Sequence, residues 1–186
     1  MGACFHKALP KSLLLVGLDR AGKSCLLTWL EPPSAGVVCV APTVGLRRTR
    51  IDWTSVEMGR VRFDVWDMAG HGRYRSLWSL YCAHVHAIMF VVDALDTPRL
   101  GVARQELWLL LHHKAFADRT VPVLVFLNKS EAATALSTRD AERALDLHQW
   151  KGPWRVEACS AVTGGGIEAG VRWLVTSLLE PLDVKL

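Results

Sequence analysis

Residues 17–24 read Gly-Leu-Asp-Arg-Ala-Gly-Lys-Ser and follow directly on the apolar run Leu13 to Val16. Two glycines with four residues between them, then lysine and a hydroxyl residue, have the spacing of a phosphate-cradling loop. Its backbone N–H groups, from Asp19 through Arg20, Ala21, Gly22, Lys23 and Ser24 to Cys25, would converge on one anionic point. The positive end of a helix opening near Lys23 would reinforce them. Gly17 and Gly22 let the backbone come close, and Lys23 would meet the β- and γ-phosphates as a point charge. The Ser24 hydroxyl would hold Mg²⁺, a hard cation that prefers oxygen ligands. The competing explanation is a glycine-containing turn that matches by chance. Against it, the required strand before the loop and helix after it are both legible.

A second motif, Asp67-Met68-Ala69-Gly70, closes the run Val61 to Trp66. A carboxylate there can hold Mg²⁺ through water, and the Gly70 N–H can meet a γ-phosphate because no side chain blocks the approach. Thr43, after Pro42, is placed to add a hydroxyl to the same metal. A lone string of this kind weighs little by itself. Downstream, Asn128-Lys129-Ser130-Glu131 ends the run Val121 to Leu127, and Ser160-Ala161 follows the run Trp154 to Ala158. Both lie at strand C-terminal ends, where open α/β sheets bind ligands.

The elements that must position these residues alternate. Strand-like runs at Leu13 to Val16, Val61 to Trp66, Ala87 to Val92, Val121 to Leu127 and Trp154 to Ala158 are separated by helical stretches. That is the pattern of a largely parallel sheet covered on both faces. Leu100, Ala103, Leu107, Leu110 and Leu111 form one apolar helical stripe, and Ile167, Val171, Leu174, Val175 and Leu178 form another. Ser137 with Asp140 resembles a capping box and predicts a short helix through about Leu145. Leu46 to Trp66 predicts two strands joined through Thr54 to Gly59. The stretch Glu31 to Pro42, with Pro32, Pro33 and Gly36, predicts a long loop.

With 186 residues, 51% of them hydrophobic and 22% charged, the chain is sized for one well-cored domain. Its apolar runs stop far short of the ~18 residues of a membrane span, and no secretory pattern opens it, so a cytoplasmic or peripheral membrane protein is expected. Cys4, Cys25, Cys39, Cys82 and Cys159 are scattered without ligand spacing, which argues against a zinc site or a disulfide framework and suits a reducing compartment. Seven arginines crowd between residues 47 and 75: Arg47, Arg48, Arg50, Arg60, Arg62, Arg73 and Arg75. They could face anionic lipid or an acidic partner, or guard an edge strand against aggregation. Nucleic acid is not expected, because no aromatic stacking platform or basic reading helix accompanies them.

In this order and spacing the motifs resemble a small GTPase of the Arf/Arl family, over nearly the whole chain. The resemblance is sharpest in Val65-Trp66-Asp67-Met68-Ala69-Gly70-His71-Gly72-Arg73-Tyr74-Arg75-Ser76-Leu77-Trp78, in Val91-Val92-Asp93, and in Pro153-Trp154 with Gly170-Val171-Arg172-Trp173-Leu174. The string from Asp67 to Trp78 is similar to the Arf-like branch that recruits the BBSome coat to ciliary membranes. The resemblance implies an α/β fold: a single P-loop small-GTPase domain with a mostly parallel six-stranded sheet and helices on both faces, over residues 11–186 after a tail at 1–10. It implies GTP or GDP with Mg²⁺ as cofactors. It also implies an effector coat complex, an exchange factor and an activating protein as partners, with peripheral membrane, cilium or ciliary base as the location. Asn128 would support the loop, Lys129 pack along the base, and the Ala161 N–H meet the guanine O6, beside Ser160. Nucleotide state would change the loop holding Thr43 and the segment from Gly70 to Tyr81. Leu46, Trp66, Leu77 and Tyr81 match the family's apolar effector patch, with ordinary core packing as the alternative, more so for Trp66 than for Leu77.

The chain departs from that family at several positions. His71 stands where the family's water-orienting glutamine would be. A neutral imidazole carries one donor and one acceptor on a short rigid ring, so slow hydrolysis is expected unless another group positions water and His71 merely faces solvent. Glu131 replaces the aspartate that pairs with guanine; a carboxylate is kept, with one methylene more. Arg20 stands where a small residue is usual and either approaches phosphate or faces solvent. The connection between Ile51 and Arg60 is longer than the family's tight turn. At the N-terminus, Gly2 suits myristoylation although His6 stands where Ser or Thr is preferred, and Cys4 could carry palmitate, giving the two-chain anchor that stable membrane binding needs; an unmodified tail is the alternative. The expected function is a nucleotide-dependent switch that recruits a trafficking complex to a membrane. The alternatives are a GTP-locked binding module without turnover, or a P-loop kinase.

Overall fold

A computed structural model describes residues 10–31, 43–55 and 59–179. The expected acylation sites Gly2 and Cys4, and the expected loop over Pro32 to Pro42, lie outside those residues. Six strands form one sheet: β1 (Lys11–Val16), β2 (Leu46–Ser55), β3 (Gly59–Met68), β4 (Ala87–Asp93), β5 (Val123–Asn128) and β6 (Trp154–Ala158), in the spatial order β2-β3-β1-β4-β5-β6. All neighbours are parallel except the β2–β3 hairpin.

Strands buried on both faces need no alternation, and β1 and β5 accordingly read Leu-Leu-Leu-Val and Val-Leu-Val-Phe-Leu where they cross the core. One face carries Leu14, Val16, Ile88, Phe90, Val125 and Leu127 against α2 (Leu100–Leu111) and α3 (Thr138–Ala144), with Trp78 and Cys82 of the 3-10 segment Gly72–His84. The other carries Leu13, Leu15, Met89, Val91, Leu124 and Phe126 against α1 (Lys23–Leu30) and α4 (Ile167–Leu179). The periodic residues Ala103, Leu107, Leu110 and Leu111, and Ile167, Val171, Leu174 and Val175, are the buried stripes of their helices. Ser137 caps α3, accepting from the Asp140 N–H at 3.2 Å.

Two boundaries differ from the sequence reading, for local reasons. The β5 ladder begins at Val123, because Pro122 has no N–H to donate; its carbonyl accepts from the Ile88 N–H instead. The β2–β3 ladder runs to the pair Ser55–Gly59, so Thr54, Ser55 and Gly59 of the expected connection belong to the strands. Five of the seven clustered arginines decorate this edge hairpin, each paired with an acid: Arg48 and Arg50 with Asp64, Arg60 and Arg62 with Asp52, and Arg47 with Glu31; Arg73 and Arg75 lie in the segment Gly72–His84.

Candidate nucleotide site

Parallel pairing sets the site. The C-terminal ends of β1, β3, β4 and β5 are adjacent, with Leu15 opposite Asp67 and Asp93 opposite Asn128, so every motif comes out at one rim of the sheet. The loop from Gly17 to Gly22 leaves β1 and enters α1 with Gly22 as its N-cap at φ 92. No side chain caps that helix end and no acidic residue stands in its first turn, which leaves its N–H groups for an external anion. Arg20 has φ 64 and is exposed, agreeing with the solvent-facing expectation.

Lys23 is folded back on the loop, its ammonium donating to the Gly17 and Leu18 carbonyls at 2.9 Å each. Burial pulls its pKa down to about 8, against the opposing attraction of Asp67 and Asp19. The Ser24 hydroxyl donates to Asp67 Oδ2 at 2.9 Å and lies 2.8 Å from the Thr43 hydroxyl, which itself reaches Asp67 Oδ2 at 3.2 Å. Asp67 is fully buried, and its second oxygen, Oδ1, has no hydrogen-bond partner among the described residues. Burial raises the Asp67 pKa although Ser24, Lys23 and Thr43 work the other way. Two hydroxyls and a buried carboxylate with an unmatched oxygen are a donor set of the hard-oxygen kind that fits Mg²⁺.

Gly70 abuts the phosphate loop so closely that a Cβ there would come within 2.5 Å of the Asp19 nitrogen and the Gly17 oxygen. Arg75 fixes this contact: it donates to the Gly70 carbonyl at 2.8 Å, pairs with Glu106 at 3.1 Å and reaches Asp19 at 3.4 Å. Arg99 meets the same Asp19 carboxylate at 3.0 Å. Burial works against the charge on Asp19, but Arg99, a backbone N–H and Arg75 outweigh it and hold the carboxyl below its ordinary range. His71 follows with extended backbone and an exposed ring that bonds to no described residue.

On the base side, Asn128 is buried and donates to the Ala21 carbonyl at 2.8 Å while accepting from the Ala161 N–H at 2.8 Å. It thereby joins the phosphate loop to the loop after β6, and it engages the N–H that the resemblance assigns to guanine O6. Lys129, at φ 66, pairs with Asp93. Glu131 is exposed, and Ser160 Oγ accepts from the Val162 and Thr163 N–H groups. Of the apolar patch, Trp66 and Tyr81 stack with centroids 4.8 Å apart, Arg48 covers Trp66, and Leu46 packs beside them against the core, whereas Leu77 is 36% exposed. A hollow of about 960 Å³ near Trp108, Phe116 and Trp150 contains none of the motif residues.

Sequence reasoning missed Arg99 and Glu106, quoted Asp93 only within the family resemblance, and gave Arg75 no role in the site. Asp93 was signalled by its place at the end of β4, level with the motif strands. Arg99 and Glu106 carry no such signal, since their partners are distant in sequence.

A model of the ADP-ribosylation factor family matches residues 4–178. ADP-ribosylation factor-like protein 6 of Danio rerio is 38% identical over 164 residues, 88% of this chain and 86% of that protein. ADP-ribosylation factor-like protein 3 of Caenorhabditis elegans is 37% identical over 174 residues, 93% of this chain and 90% of that protein. Among solved structures, the Arl6 (BBS3) small GTPase of Trypanosoma brucei with the bound nucleotide analogue GppNp superposes with a TM-score of 0.81 at 30% identity. It covers 91% of this chain and 98% of that one.

Proposed function

The chain belongs to the ADP-ribosylation factor family as an Arf-like small GTPase, and from that premise we propose that it is a Mg²⁺-dependent guanine-nucleotide switch that recruits a BBSome-type coat to a membrane. The observation that carries the nucleotide reading is the buried Asp67, with one oxygen unmatched, beside the Ser24 and Thr43 hydroxyls and Lys23. Ser24, Thr43 and, through water, Asp67 would hold Mg²⁺, which neutralises charge on the β- and γ-phosphates when bound. Lys23 would exchange its two carbonyl partners for phosphate, and the Gly70 N–H would meet the γ-phosphate. Asn128 holds the phosphate loop to the base loop, while the Glu131 carboxylate supplies the acceptor that guanine's N1–H and amine require.

The BBSome-type effector rests on the resemblance of the string from Asp67 to Trp78. An exchange factor, an activating protein and a membrane anchor at Gly2 and Cys4 belong to the same proposal. Among the described residues no helix is long and apolar enough to cross a membrane. A second reading, a binding module that holds GTP without turnover, is favoured by His71, whose ring bonds to no described residue.

The test is equilibrium binding of GTP, GDP and ATP, with and without Mg²⁺, to the wild type and Lys23→Ala. Guanine nucleotides should bind more tightly than ATP, more tightly still with metal, and weakly or not at all to Lys23→Ala. Equal affinity for GTP and ATP, or an unaffected variant, would overturn the proposal.

A further inference from the structure

Trp29 lies on α1, six positions after Lys23, and its indole N–H donates to the Ala161 carbonyl at 2.8 Å. The residue is 43% exposed, so core burial does not account for a tryptophan there. Its ring covers Gly164, which has φ +81 and where a Cβ would come within 2.7 Å of the ring carbons. Two separate contacts, one polar and one steric, thus join the exposed face of α1 to the loop that follows β6.

That loop contains Gly164, Gly165 and Gly166 in succession, a stretch with much conformational freedom to lose on ordering. Two side chains from outside the loop reach Ala161: Asn128 accepts from its N–H at 2.8 Å, and Trp29 donates to its carbonyl. Asn128 in turn donates to the Ala21 carbonyl. The bonds close a ring that runs from the phosphate loop through Asn128 to Ala161 and returns through Trp29 to the helix that Lys23 and Ser24 begin.

We propose that Trp29 is a positioning residue for base recognition, holding the loop around Ala161 in its base-facing arrangement before the nucleotide arrives. This rests on the nucleotide reading above. Without Trp29 the loop keeps its internal bonds to Ser160 and the Asn128 bond at Ala161 but loses its tie to α1, so binding a base has to restrict a looser loop, and pre-ordering of this kind acts on affinity and residence time. Because the loop faces the base rather than the phosphates, the effect falls on guanine recognition.

The experiment measures GDP release and the GDP-over-ADP affinity ratio in the full chain. Trp29→Phe keeps a ring over Gly164 but loses the N–H, and Trp29→Ala loses both. GDP release is expected to rise about fivefold in Trp29→Phe, the scale of one net hydrogen bond, and further in Trp29→Ala. ADP affinity should hold, so the ratio falls. An unchanged ratio in both Trp29 variants, including equal weakening of GDP and ADP, would overturn the proposal. A wild type with no preference for GDP over ADP would instead overturn the nucleotide reading on which it stands.

Discussion

Ser24 and Asp67 meet at 2.9 Å, hydroxyl to carboxylate, although 43 residues separate them. The contact follows from sheet register: β1 and β3 run parallel with Leu15 opposite Asp67, so the end of β3 arrives beside the start of α1. No described residue satisfies Asp67 Oδ1, which leaves that oxygen for a further ligand. Asp67→Asn, which keeps the shape and removes the charge, should lower the Mg²⁺-dependent gain in nucleotide affinity by about 10–100-fold, the range for groups that act on a metal through an intermediary. Affinity in the presence of chelator should change little. Dissociation constants measured with metal and with chelator decide it, and an Asp67→Asn protein with the wild-type metal response would remove Asp67 from the site.

Arg75 is the most enclosed of the clustered arginines that form ion pairs, with its side chain 13% exposed, and it serves the Gly70 carbonyl, Glu106 and Asp19 together. Arg75→Ala strands those groups and is expected to cost about 1–3 kcal/mol of stability, the scale for charged hydrogen bonds lost from an enclosed site. Lysine cannot reproduce the planar fork, so Arg75→Lys should recover only part of the loss. Denaturant titration of the nucleotide-free protein measures both; two variants as stable as the wild type would mean that solvent replaces every contact.

What the sequence made legible, and what it did not, divides along physical lines. Short-range patterns carried over: the four-residue glycine spacing, the uninterrupted apolar runs of doubly covered strands and the Ser137–Asp140 cap all report local geometry, and all appear in place. Chain-distant polar pairings did not. Arg99 with Asp19, and Arg75 with Glu106, join residues 80 and 31 positions apart and leave no period in the sequence. Trp29 carries no sequence signal of its role either: a tryptophan defaults to burial, yet this residue is 43% exposed and its indole N–H is committed to the Ala161 carbonyl. The arginines from 47 to 62 showed the converse: a charge run readable as a partner-binding surface is answered mostly by acids of the same hairpin, whose register places Asp52 opposite Arg62 and Asp64 opposite Arg50.

The base of the sheet supplies a pH dependence. The Ser12 N–H donates to His86 Nδ1 at 3.0 Å, and the His86 N–H donates to the Ser12 carbonyl at 2.7 Å. Burial lowers the His86 pKa, aided by the positive charges of Lys11 and Arg119. A histidine whose folded pKa lies below its unfolded value binds its proton more readily when unfolded, so stability rises with pH between the two values. Acidification from pH 6.5 toward the folded pKa should therefore lower the unfolding midpoint, and His86→Gln should flatten that part of the profile. A variant that keeps the full wild-type slope would assign the dependence to other groups.

Glu131 is exposed and carries one methylene more than the aspartate the family uses. Glu131→Asp should tighten GTP binding by up to ~1–3 kcal/mol, the scale of one methylene in a shaped pocket, without creating affinity for ATP. Competition titrations measure both at once. Tighter ATP binding in the variant would mean that residue 131 does not read the base.

In the proposed switch, His71 is the residue expected to set how long the GTP-bound state lasts. Its backbone is anchored from both sides, since Arg75 holds the preceding Gly70 carbonyl and the Tyr74 N–H donates to the His71 carbonyl at 2.8 Å. The ring itself bonds to no described residue, so its backbone position is set while its chemistry is free to be changed by substitution. Orientation of attacking water together with partner-supplied charge accelerates small-GTPase turnover by ~10³ to 10⁵, and an imidazole at this position does not reproduce an amide's paired donor and acceptor. Intrinsic hydrolysis by the wild type should therefore be slow. His71→Gln should raise the single-turnover rate while leaving GTP affinity unchanged, because the side chain acts on water in the transition state and not on the bound ground state. The unchanged affinity also separates this effect from a general repair of the site, which would move both quantities. A His71→Gln protein that hydrolyses no faster than the wild type would show that His71 is not what limits turnover.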